Sequence, residues 1–77
     1  MRHNPKAEAA LQAILQAEAE ARNAGRDYFK TAPNLMLVEV SRHASRLYDK
    51  NSLVTAYMQG YSAARISHDE WMRESEL

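Results

Sequence analysis

Between Leu37 and Tyr61 the side chains Leu37, Val40, Ala44, Leu47, Asn51, Val54, Met58 and Tyr61 follow one another at alternating steps of three and four. That spacing places all of them on one stripe of a helix, a seam able to lie along another helix. Apart from Asn51, these positions can be buried with little polar cost, provided the Tyr61 hydroxyl reaches a partner. Asparagine at one seam position is a device that coiled coils use to fix register. The run Leu35–Val40, with its β-branched Val38 and Val40, would also suit a strand. The helical phase persists far beyond the length of a strand, and length favours helix.

A second seam precedes it. Asn4-Pro5 supplies an N-cap followed by proline at the first helical position, where no hydrogen bond is lost. Ala7, Ala10, Ile14, Ala17, Ala21, Ala24 and Tyr28 then step by three and four through a stretch rich in strong helix formers, flanked by Leu11 and Leu15. The phase passes through Gly25, which predicts one helix over 5–31 behind a disordered start at 1–4; a C-cap at Gly25 is the alternative. Pro33 drives Ala32 away from helical geometry and closes this element. The next helix is expected over 34–66, with a split into 34–49 and 53–66 as the alternative if Asn51 or Ser52 caps a new start. Ala56, Gly60 and Ala64 form a row of small residues suited to close helix packing. Ser67 followed by Glu70 has the capping-box pattern, which predicts a short last helix over 68–76 carrying Trp71 and Met72.

The expected fold is therefore all-α: an antiparallel helical hairpin of two long helices and a short C-terminal one, forming a single domain over 1–77. A chain of 77 residues without cysteine has no disulfide or thiolate metal site to supplement a small core. Packing two hairpins into a four-helix-bundle-like homodimer would supply the missing burial. The expected core and dimer seam comprises Ile14, Leu37, Val40, Leu47, Asn51, Val54, Met58 and Tyr61.

Ten basic and ten acidic residues cancel, so no global field draws the chain to nucleic acid or to an anionic membrane. The segment 26–50 carries about +2 and 51–77 about −2 at neutral pH. Neither a signal peptide nor an apolar run approaching a membrane span is present, and a cytoplasmic protein without membrane contact is expected. His3, His43 and His68 do not fall at the spacing of a helical metal pair, and no metal or cofactor is expected. Ser41, Ser45 and Asp49 share a helical face from which His43 diverges, and no glycine-flanked elbow accompanies them, so no enzyme is expected. Arg42, Arg46 and Lys50 recur every fourth residue, a row suited to phosphates or to an acidic protein surface. Trp71 beside Met72 would form a docking point if exposed, or a cap on the bundle end if folded back.

Gly60-Tyr61-Ser62-Ala63 resembles the Gly-Tyr-containing helix of the ribosome modulation factor family. The resemblance covers those residues alone, without the family's strong basic excess, and implies no site residue here. The pattern as a whole leads to the expectation of a small, non-enzymatic protein-protein interaction module. It would act as an adaptor or inhibitor of the kind found among phage and plasmid accessory proteins. The alternative is a nucleic-acid-associated regulator contacting phosphates through Arg42, Arg46 and Lys50.

Overall fold

The computed structural model describes residues 5–75, which form three α-helices: α1 (Pro5–Thr31), α2 (Leu37–Leu47) and α3 (Asn51–Ser75). Among these residues there is no strand, so Leu35–Val40 leads into a helix. The expected start at residue 1–4 lies outside the described residues, as does Glu76.

α1 runs unbroken through Gly25 because that residue faces another backbone. A Cβ on Gly25 would lie 2.8 Å from the Tyr57 carbonyl carbon and closer still to its oxygen. Reciprocally, a Cβ on Gly60 would lie 2.7 Å from the Arg22 carbonyl carbon and closer to that oxygen. Only hydrogen fits at either place, and each glycine directs a Cα–H at a carbonyl of the opposite helix, the arrangement of weak Cα–H···O bonds. Ala21 and Ala56, 1% and 3% exposed, extend the close contact.

The expected long helix over 34–66 is instead divided. Pro33 and Asn34 form a turn, and Met36 stays extended (φ −72°, ψ 151°), so α2 begins at Leu37, where the Met36 carbonyl accepts from Glu39 and Val40. At the other end Tyr48 leaves helical geometry (φ −131°, ψ 138°) while its N–H still donates to Ala44 at 2.9 Å. The Lys50 carbonyl then accepts from Leu53 and Val54 and opens α3. Continuity of the seam would need its middle positions buried, yet Leu47 is 54% exposed and Asn51 is exposed. The break lets Val40 and Ala44, both 0% exposed, fold back on Tyr57 and Tyr61 of the same chain.

Two reversals replace one. α2 lies back along α3, and α3 packs against both other helices. Arg22 opposes Gly60, Gly25 opposes Tyr57 and Tyr61, and Phe29 meets Tyr61 and His68. The contacts climb both helices together, so α1 and α3 run in the same general direction; the antiparallel pairing falls to α2 and α3. The capping box at Ser67 does not start a new element either, because α3 continues to Ser75. With neither glycine nor proline between Tyr61 and Ser75, the backbone stays in its own helical ladder.

The core is small: Phe29, Val40, Ala44, Tyr57 and Tyr61, with Val54 and Met58 partly buried beside it. Of the expected seam, Ile14, Leu37, Leu47 and Asn51 lie outside it. Ile14 is outside because α1 overhangs the start of α3, so that all of residues 5–16 are exposed. Leu37 and Leu47 occupy the two ends of the short α2 and are 46% and 54% exposed.

Substituting Gly60 by Ala in an exposed helix would stabilise it by about 1 kcal/mol. Here the added methyl meets backbone, and Gly60→Ala or Gly25→Ala is expected to destabilise the protein by about 2–4 kcal/mol. Thermal melts followed by circular dichroism check the sign, with Ala9→Gly on the exposed part of α1 as the ordinary propensity control.

Candidate functional site

Tyr61 organises the centre of the molecule. It is fully buried, and its hydroxyl donates to the Ala32 carbonyl at 2.6 Å and accepts from the Leu35 N–H at 3.1 Å. One side chain of α3 thus satisfies two backbone groups of the loop joining α1 to α2, where no helical ladder supplies partners. Around it lies a run of rings. Phe29 meets Tyr61 edge-on at 5.4 Å, and Tyr28 meets Tyr57 and Tyr61 at 5.9 and 6.1 Å. His43 stacks flat on Tyr28 at 4.2 Å, and Tyr48 closes the far side of Tyr57 at 5.9 Å. Burial, together with Tyr28 and Tyr48 nearby, pushes the Tyr57 phenol up to about 12.

Two of the three basic candidates share a hollow. Arg42 and Arg46 line a cavity of about 250 Å³ with Tyr28, Leu35, Glu39 and His43. Lys50 stands apart in the turn before α3. The helix break removes it from the row, because the every-fourth-residue spacing holds only while α2 continues. On the surface of α1, Lys30 pairs with Asp27 at 3.8 Å.

Trp71 and Met72 are 62% and 44% exposed on the part of α3 that passes beyond the end of α1. Trp71 stacks on His68 at 6.4 Å, and His68 in turn leans on Phe29 at 5.6 Å. Trp71 therefore stands on the outside of the helix end instead of folding over it. Met72 lines a cavity of about 500 Å³ with Phe29, Pro33, Arg65, His68 and Asp69. Leu37, Met58 and Ile66 border a shallow, largely apolar groove of about 480 Å³ on the outer side of α3.

Of the residues considered for catalysis, the Ser45 hydroxyl donates to the Ser41 carbonyl at 2.8 Å, and the His43 ring stacks on Tyr28 with Tyr57 5.9 Å away. Among the described residues no group of three or more His, Asp or Glu side chains is arranged to hold a metal ion. No described helix is long and apolar enough to cross a membrane. The sequence reading missed the Tyr28–His43 stack, although His43 lies three residues after Val40 and so on the flank of the same buried stripe.

Comparison with protein-family models, with curated proteins and with solved structures finds no match to this chain.

The Tyr57 phenol gives a pH signature. Its folded-state pKa is raised, so its contribution to stability is intact below the ordinary value of 10.0 and is lost as pH rises toward about 12. The melting temperature is expected to fall more steeply across that window in the wild type than in Tyr57→Phe, which keeps the ring and removes the titrating group. Tyr61→Phe leaves the Ala32 carbonyl and Leu35 N–H without their partner and is expected to cost about 1–3 kcal/mol, measurable by urea unfolding.

Proposed function

We propose that this chain is a small, non-enzymatic protein-protein interaction module of the cytoplasm, an adaptor or inhibitor that occludes a surface of a protein partner and works as a homodimer. Accessory proteins of phages and plasmids offer the nearest analogy in size and architecture. The observation that supports the reading most is the balance of apolar surface. Among the described residues ten large hydrophobic side chains are exposed, Leu11, Ile14, Leu15, Ile66, Trp71 and Met72 among them, while the largest fully buried ones are only Tyr61 and Val40. Apolar surface on this scale, spread over the start of α1, the α2 side and the end of α3, suits binding to other proteins. Trp71 with Met72 is the anchor proposed for the partner, since exposed tryptophan is the residue type that most often dominates such contacts.

Trp71→Ala with Met72→Ala is expected to release whatever protein the wild-type chain retains when tagged and recovered from its native host, with the helical content unchanged. Retention by the double variant would remove these residues from the interface.

A second reading rests on Arg42 and Arg46, which share one cavity beside the stacked Tyr28–His43 pair. It makes the chain a nucleic-acid-associated regulator that contacts phosphates through Arg42, Arg46 and Lys50. Retardation of nucleic acid in gels should then weaken with salt, and replacing the three basic residues should flatten that slope. No retardation even at low salt would exclude it.

A further inference from the structure

The outer face of α3 carries a stripe whose members are complementary in pairs about one centre. Taking Ser62 as the centre, Met58 and Ile66 lie four residues to either side, Thr55 and Asp69 seven, and Asn51 and Arg73 eleven. All of these fall on one stripe of the helix, and Thr55, Met58, Ser62 and Ile66 border the apolar groove completed by Leu37 of α2. We propose that this groove is filled by a second copy of the chain, its α3 lying antiparallel on the first with the two-fold axis at Ser62. The proposal rests on the homodimer in the function proposed above and adds the face that forms it.

An isologous contact must be complementary to itself, and the stripe meets that condition layer by layer. Ser62 meets Ser62 of the other copy, small against small, which lets the helices approach. Met58 meets Ile66 of the other copy twice, apolar on apolar. Thr55 meets Asp69, and Asn51 meets Arg73, each a donor facing an acceptor.

The size of the surface argues for a second copy of the same chain. A compact monomer of this mass exposes about 4,800 Å² by the scaling of folded proteins, whereas this chain exposes 6233 Å². The excess, about 1,400 Å² per chain, lies in the range that obligate homodimers bury on each subunit.

Sedimentation equilibrium of the full chain at tens of micromolar, with circular dichroism alongside, tests the face. The wild type is expected to be a dimer. Ser62→Arg sets like charges against each other on the axis and should weaken self-association by at least about 100-fold at unchanged helicity. Ile66→Glu should act in the same direction. Because the chain has no cysteine, Ser62→Cys should link to itself rapidly with a thiol oxidant, and Gln12→Cys on α1 should not. A wild-type dimer that survives both Ser62→Arg and Ile66→Glu would overturn this face and leave the homodimer standing. A fully helical wild-type monomer would overturn both and assign the groove to a different protein. Equal linking by Ser62→Cys and Gln12→Cys would also count against the axis.

Discussion

Everything in this small molecule depends on two helix backbones touching. At the crossing of α1 and α3 each helix offers a glycine to a carbonyl of the other, Gly25 to Tyr57 and Gly60 to Arg22. Contact this close is the condition under which an alanine-lined helix can serve as a packing partner at all. Alanine buries little area, so an ordinary interhelical distance would leave gaps that its side chains cannot fill. Removing the Cβ atoms at the crossing draws the helices together until Ala21 and Ala56 are themselves buried. The same approach sets the register that carries Phe29 to Tyr61 and Tyr28 to Tyr57.

Rings take over where the glycines end. Tyr61 spans from α3 to the loop at the end of α1, holding one carbonyl and one N–H with a single hydroxyl. It thereby directs the chain from α1 into α2 without a capping side chain at Met36. The geometry is economical for a chain of 77 residues, but it is confined to the middle of the molecule. On either side the helices simply continue, α1 backward through Leu11 and α3 forward through Trp71, into stretches whose side chains are exposed.

Local chemistry was readable in the sequence where it depended on neighbours along the chain. The proline at the start of α1 and the turn at Pro33 follow from backbone rules that hold in any context, and the passage through Gly25 from the unbroken phase of the α1 seam. The Ala56, Gly60 and Ala64 row announced a close helix contact, and Ala56 and Gly60 are buried in it. What stayed hidden was decided by distant residues. The phase of the seam crosses Leu47 and Asn51 without interruption, so periodicity alone cannot report that Tyr48 swings out of the helix to meet Tyr57. Ser67 and Glu70 match a cap, yet the pattern is also compatible with a helix interior when nothing upstream breaks the ladder. The basic row was lost for a related reason: Arg42 and Arg46 share one helix, and the break ends the register before Lys50.

The contrast between a packed centre and bare ends bears on how such a chain can have a single stable structure. A helix segment with no tertiary contact is only marginally favourable in water, however good its sequence. Residues 5–16 of α1 and the stretch from Arg65 to Ser75 of α3 are exposed throughout. Leu11, Ile14, Leu15 and Ile66 leave about half of their surface in water, and a purely solvated helix would do better with charge at those positions. Their presence makes sense if the folded unit is larger than one chain, because apolar side chains on a projecting helix stabilise it only when something covers them. The same argument separates two roles for the exposed groups. Ile66 lies on the stripe that mirrors itself about Ser62, whereas Trp71 stands five residues further on, roughly 140° around a helix. A copy seated on the stripe would therefore leave Trp71 uncovered, free to meet a partner of a different kind.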